Sequence, residues 1–476
     1  MELSKKVGLF LGPILFFILL NLPFEIVSEK GDAVIAVAVF MVVWWITEAV
    51  SISVTALLPL LLFPILGIMD IGEVGSNYGS PIIFLFFGGF VLALALEKVN
   101  LHKRIALNII RVTGTTPNKV VLGFMIATAA LSMWISNTAT AVVMLPIAMS
   151  VIGLLVNDAD GFTKRDRNFA LSVMLGIAFS ANAGGVATVI GTPPNSVMIG
   201  LLENEFNIEI SFLKWMVIGV PFSALMIWIS YLVLVKWMYP NKQLKFAASK
   251  NIINDELKKL GPMSGKEKMV LAIFGVTVFL WIFRTVINGL LPDLKLNDTI
   301  ISIMAAIAMF SIPYNLKKGD FIINWKDTQK LAWGILILFG GGLALAKGMS
   351  VSGIVDMVSG AIAESQISVL FTAILLITLM LFMTELMSNV ALIAVLAPVV
   401  AGIAIGLDLP ILYLLIPVTI ASSCAFMLPM ATPPNAIVFA SGYIKVSEMA
   451  RVGVFLNVIA IVILVLMFHF VLPLLF

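Results

Sequence analysis

The sequence predicts an all-α polytopic membrane protein of about eleven transmembrane helices and two re-entrant helical hairpins, arranged as inverted repeats. Three observations predict it. Hydrophobic residues make up 61% of the chain and charged residues 12%, with a mean hydropathy of +1.11, against roughly 45 to 50% apolar residues in soluble domains. Apolar runs recur at the length of a bilayer-crossing helix, about 17 to 25 residues. Two longer apolar stretches carry the same polar interruption: ISNTATAVVMLPI, with Ser136, Asn137, Thr138 and Pro146, returns 252 residues later as MSNVALIAVLAPV, with Ser388, Asn389, Val390 and Pro398.

Residues 1–32 hold the first apolar run, 7–24, which follows Lys5 and Lys6 without an obvious small-residue cleavage site and so reads as a retained helix. Crossings are expected near 33–50, 52–69, 79–97, 168–203 and 212–238 in a first repeat spanning 33–238. A charged cytoplasmic linker, 239–267, leads to a second repeat over 268–476, with crossings near 268–292, 298–314, 330–348, 410–440 and 452–475. The stretches 119–156 and 367–405 are too long for one helix and are interrupted at their centres. They read as hairpins with the Ser-Asn motif at their tips, because non-helical polar backbone at membrane depth is tolerated only inside protein or around a cavity.

Loop charge supports this count. With the N-terminus in the cytoplasm, inside loops hold Lys98, Lys103, Arg104, Arg111 and Lys119, then Lys164, Arg165 and Arg167. Later ones hold Lys242, Lys245, Lys250, Lys258, Lys259 and Lys266, then Lys317, Lys318, Lys326 and Lys330, and finally Lys445 and Arg451. One outside loop carries Glu203, Glu205 and Glu209 instead. The alternation satisfies the positive-inside rule and predicts an integral cell-membrane protein with its C-terminus outside. A net charge of +3 is too small to suggest a nucleic-acid partner, and the single Cys424 excludes an intramolecular disulfide.

The duplication extends beyond the tips. Gly88 and Gly89 recur as Gly340 and Gly341, and GTPPN (Gly191 to Asn195) recurs as ATPPN (Ala431 to Asn435). Five crossings and one hairpin per repeat turn the second copy upside down relative to the first, as in many secondary transporters that bind substrate near the midplane on broken helices.

Each tip starts a half-helix, and each Thr-Pro-Pro is expected to break its crossing, since proline lacks a donor and clashes with the preceding turn. Four helix N-termini, each worth about +0.5 charge, would together suit a dianion. Ser136, Asn137, Thr138, Ser388, Asn389, Thr192 and Thr432 add neutral polar groups, and none of the four segments contains Lys or Arg. Glu385, three residues before Ser388, either serves an ion or proton path or pairs with backbone donors. Glu48 is expected at the cytoplasmic interface, and Arg284 to snorkel or pair structurally. An enzyme is not expected: His102 and His469 lie away from the motifs, and neither HExxH nor GxSxG occurs.

The paired Ser-Asn hairpin tips, paired Thr-Pro loops and eleven-span inverted repeat resemble the divalent anion:sodium symporter family across essentially the whole chain. The resemblance implies transport of di- or tricarboxylates such as 2-oxoglutarate, malate, succinate and citrate, by an elevator motion in a homodimer. It places substrate binding on Ser136, Asn137, Thr138, Thr192, Pro193, Ser388, Asn389, Val390, Thr432 and Pro433. It maps a first sodium site onto Ser132, Ser136, Asn137 and Gly191, and a second onto Thr384, Met387, Asn389 and Ala431. Val390 stands where the family pattern has threonine, which removes a hydroxyl. The expectation is therefore dicarboxylate exchange, with Na⁺-coupled symport the alternative and a cation/proton antiporter using Glu385 the third reading. No cofactor is expected beyond Na⁺ as a coupling ion.

Overall fold

A computed structural model describes residues 3–22, 27–114, 116–156, 163–240, 249–315, 319–365 and 367–476. Lys242, Lys245, Lys317 and Lys318, counted among the inside charges, lie outside the described residues, as does the side chain of Lys250. The chain opens with α1 (Leu3–Asn21) and α2 (Glu29–Thr47), packed as an antiparallel pair. Ser28 caps α2, its side chain accepting from the Gly31 amide at 3.0 Å. Two short helices follow, α3 (Ile52–Thr55) and α4 (Leu58–Ile65), where one crossing over 52–69 was expected.

Next come α5 (Ile71–Tyr78) and α6 (Pro81–Lys98), then α7 (Leu101–Thr113). The first hairpin is α8 (Pro117–Ser132) and α9 (Asn137–Val156), and the broken helix is α10 (Lys164–Gly185) and α11 (Pro193–Phe206). Helix α12 (Phe212–Leu232) runs into a π-helical turn over 233–238 and closes the first half. The linker contains α13 (Ser249–Leu260), absent from the sequence expectation.

The second half repeats this order. Helices α14 (Gly265–Leu290) and α15 (Asp298–Ser311) lead through a small antiparallel pair, β1 (Pro313–Asn315) and β2 (Asp320–Phe321), and a 3₁₀ turn to α16 (Trp333–Val351). Then follow α17 (Ile354–Glu364), the second hairpin of α18 (Val369–Met383) and α19 (Asn389–Gly406), and the broken helix of α20 (Ile411–Ser422) and α21 (Pro433–Phe439). The long α22 (Val446–Leu466) ends in a π turn and the short α23 (Leu472–Leu475). Helices α7 and α17 hold matching places in the two halves and were missed as loop because both are short and two-faced.

Eight described helices are long and apolar enough to cross a bilayer. All but one coincide with expected crossings; the exception is α19, the returning arm of the second hairpin. The four remaining expected crossings consist of shorter or broken helices: α3 with α4, α10 with α11, α15, and α20 with α21. Residues Phe169 to Gly185 of α10 are buried on every face, which puts that helix at the centre of the molecule. Helices α1 and α14 instead turn Phe10, Phe17, Val276, Phe279 and Val286 outward, as lipid-facing helices do.

The duplicated glycines serve close helix approach. A Cβ on Gly88 would collide with Ser302 of α15, and one on Gly341 would collide with the Ala56 carbonyl. Ion pairs test the alternation of loops. Lys98–Asp327 (2.6 Å), Arg104–Glu267 (2.5 Å), Arg167–Glu448 (2.6 Å) and Lys5–Glu48 (3.5 Å) each join segments assigned to the lysine-rich face. Arg284 pairs with Glu209 (2.6 Å) and Asp298 (3.3 Å), and Lys347 with Glu205 (3.3 Å), all on the opposite face. Arg284 is thus a structural pairing, one of the two roles expected for it.

Candidate functional site

The first tip forms because α8 stops at Ser132 and Ser136 caps the new helix, its hydroxyl accepting from the Ala139 amide at 3.2 Å. The second tip copies it: the Ser388 hydroxyl accepts from the Ala391 amide at 3.5 Å. The broken helices also match in detail. Thr192 (φ −140°, ψ 138°) and Thr432 (φ −142°, ψ 151°) are both extended residues that precede a helix opening with proline.

This arrangement corrects the expected role of the prolines. Helix α10 already ends at Gly185 and α20 at Ser422, well before either Thr-Pro-Pro. Pro193 and Pro433 occupy the first helical position, where the missing N–H has no partner to lose and the fixed φ favours helix. They begin helices; they do not break them. Asn195 and Asn435, the last residues of the two motifs, hold the loops in place. Asn195 Nδ2 donates to the Thr188 carbonyl at 2.9 Å, and Asn435 Nδ2 to the carbonyls of Leu428 at 3.0 Å and Ala425 at 3.1 Å. Their presence in both copies was the available signal for this role.

All ten residues proposed for substrate contact line one cavity of about 840 Å³: Ser136, Asn137, Thr138, Thr192, Pro193, Ser388, Asn389, Val390, Thr432 and Pro433. Gly191, Met387 and Ala431 line it too, while Ser132 and Thr384 are fully buried behind the wall. The N-termini of α9, α11, α19 and the seven-residue α21 all reach this space. Trp45, Phe86 and Phe90 form an apolar flank, and Lys5, Glu48, Glu97 and Lys330 belong to the wall on the lysine-rich face.

Behind the first tip, the Ser132 hydroxyl lies 2.5 Å from Asn137 Oδ1 and 2.7 Å from the Ala181 carbonyl. One hydroxyl proton cannot serve both acceptors, so the Ser132 hydroxyl, the Asn137 side chain and the Ala181 carbonyl form a polar cluster behind the tip. Gly185 leaves room beside this group: a Cβ there would sit 2.6 Å from Asn137 Oδ1 and 3.1 Å from the Gly191 carbonyl oxygen. Behind the second tip, Thr384 Oγ1 donates to the Ser422 carbonyl at 2.6 Å. No hydrogen bond joins Thr384 to Asn389 among the described residues, so that proposed ion site is not drawn together as the first is.

Glu385, 2% exposed, accepts from the amides of Phe426 (2.9 Å), Met427 (3.0 Å) and Leu428 (3.1 Å) and from Asn457 Nδ2 (2.8 Å). Pairing with backbone donors is one of the two roles expected for it. Nothing in sequence pointed to Asn457, 72 residues away.

Comparison with known proteins gives a consistent result. The chain is 39% identical to the sodium-dependent dicarboxylate transporter SdcS of Staphylococcus saprophyticus, covering 99% of this chain and 92% of the relative. It is 38% identical to SdcS of Staphylococcus aureus strain USA300 over the same shares. Among solved structures it is similar in fold to the YdaH transporter of Alcanivorax borkumensis (TM-score 0.58, 14% identity, 84% of this chain and 88% of that one). It is also similar to MtrF of Neisseria gonorrhoeae (TM-score 0.52, 12% identity, 83% of each chain). The family model of the sodium:sulfate symporter transmembrane region matches residues 4–476, and the chain belongs to that family of membrane transporters.

Proposed function

We propose that the protein is a secondary transporter of C4 and C5 dicarboxylates driven by sodium. The observation that carries this reading is a single cavity lined by four helix N-termini and by neutral donors, Ser136, Asn137, Thr138, Thr192, Ser388, Asn389 and Thr432. Such a surface suits two carboxylates, which accept hydrogen bonds and favour the positive ends of helices. Sodium is supported by the oxygens that cluster at Ser132, Asn137 and Ala181, with the Gly191 carbonyl alongside. The names of the SdcS relatives point the same way.

Alternating access is supported by the two faces of the molecule. The cavity wall reaches Lys5, Glu48 and Lys330 on the lysine-rich face, while Arg284, Glu209 and Asp298 hold the other face together. With that lysine-rich face in the cytoplasm, this wall supports an inward-facing state with the C-terminus outside. Likeness to the family supports an elevator motion within a homodimer.

Exchange is a second reading, favoured by Val390 in the cavity wall and by the unjoined Thr384 and Asn389. Uptake of labelled succinate into proteoliposomes separates the two. We expect uptake that requires external Na⁺ and proceeds without internal dicarboxylate. Uptake that ignores Na⁺ and requires internal dicarboxylate would establish exchange, and no uptake of succinate, malate, 2-oxoglutarate or citrate would sink both.

A further inference from the structure

Asn182 sits on α10 in the first half, yet its side-chain partners all lie in the second. Its Nδ2 is 3.0 Å from the Ala425 carbonyl, 3.0 Å from Thr432 Oγ1 and 3.3 Å from Asn435 Oδ1, and the residue is 1% exposed. The amide orientation is settled by chemistry. Asn435 Nδ2 faces the carbonyls of Ala425 and Leu428, which turns Asn435 Oδ1 toward Asn182. A carbonyl oxygen and an amide oxygen can only accept, so the atom of Asn182 that meets them is its nitrogen.

The Asn182 amide has two protons for three acceptors, and its two shortest contacts, both 3.0 Å, are the Ala425 carbonyl and Thr432 Oγ1, with Asn435 Oδ1 farther at 3.3 Å, so Thr432 Oγ1 accepts one of the two protons. The hydroxyl does not cap its own helix, and it faces the cavity. With a donor already pointed at its lone pair, its one proton is free for the cavity side, where a carboxylate offers only acceptors. The first half has no such device. The residue matching Asn182 by the 240-residue offset is Ser422, whose hydroxyl donates to the Thr419 carbonyl at 2.7 Å, and Thr192 receives no side-chain hydrogen bond among the described residues.

We propose that Asn182 is a positioning residue for substrate binding, which makes Thr432 an obligate donor to one substrate carboxylate and so makes the two ends of the site chemically unequal. The inference rests on the dicarboxylate reading above. Its test is a double-mutant cycle on the purified full-length protein in Na⁺, measuring binding of succinate, malate or 2-oxoglutarate, whichever binds the unmodified protein tightest.

Asn182→Ala and Thr432→Val are each expected to weaken binding by about tenfold, the worth of one charge-assisted hydrogen bond. The double variant is expected to be no weaker than Thr432→Val alone. General loosening of the packing would persist in the Thr432→Val background, so losses that multiply would overturn the proposal. Unchanged affinity in Asn182→Ala would overturn it too. If Asn182→Ala does not melt cooperatively, Asn182→Ser takes its place with the same expectations, since a serine hydroxyl is too short to reach Thr432. Failure of the unmodified protein to bind any of the three acids would refute the dicarboxylate reading instead.

Discussion

The two half-sites share a backbone and differ in what fastens it. In the first, the Thr188 hydroxyl donates to the Met133 carbonyl at 2.5 Å, joining loop to hairpin tip. In the second, the residues at the matching positions are Leu428 and Glu385, and there the loop amides donate to a buried carboxylate. The same contact is made by a neutral bond in one copy and by a charge in the other. Duplication kept the caps, the extended threonines and the helix-starting prolines, which are local and set by the chain itself. The bonds between segments were free to diverge. The first half gathers oxygens around Ser132, while the second gathers amides around Glu385.

Cutting the two fasteners is the strongest way to break this comparison. Glu385→Ala should leave three buried amides without an acceptor and cost about 3 to 5 kcal/mol, whereas Thr188→Val should cost about 1 kcal/mol. Thermal melting in detergent measures both, and equal losses would remove the distinction between a charged and a neutral fastener. A smaller contrast is expected between the asparagines. Asn137→Ala removes an oxygen bonded to Ser132 and should weaken sodium-dependent dicarboxylate binding by about 2 kcal/mol, against about 1 kcal/mol for Asn389→Ala. Calorimetric titration over a series of Na⁺ concentrations would show it, and matching losses would mean that the first half is not the better ion site. The smallest effect belongs to the tips. Val390→Thr restores a hydroxyl in the cavity wall and should tighten binding by about 0.5 to 1.5 kcal/mol, with Thr138→Val losing a similar amount. A weaker Val390→Thr would mean that the second tip is shaped for an apolar contact.

The sequence made legible what depends on neighbours along the chain. Both hairpins, both Thr-Pro loops and most crossings could be read from apolar length and a repeated motif, and every proposed substrate residue meets in one cavity. Crossing 52–69 is shorter than expected and interrupted between α3 and α4, because hydropathy counts apolar residues and not helical continuity. Helices α7 and α17 failed because a short two-faced helix has no long apolar run. The role of the prolines was misread because a motif shows that a helix is interrupted without showing on which side of the break proline stands. Asn182 gave no signal in sequence, and for Glu385 the sequence offered two roles without naming a partner. Their partners lie 41 to 253 residues away, and only the fold brings them together.

The fastening of Glu385 bears on how a solute gets in. A hairpin that worked as a flap, lifting its tip at every turnover, would have to strip the carboxylate from three amides and Asn457 each time. The amides of residues 426 to 428 would then trade their hydrogens with solvent at about the rate of transport. A tip riveted in this way keeps those hydrogens through many cycles. Under the proposed elevator motion, turnover would leave the second hairpin and its loop undivided, and access would change by moving the pair as one piece past its neighbours.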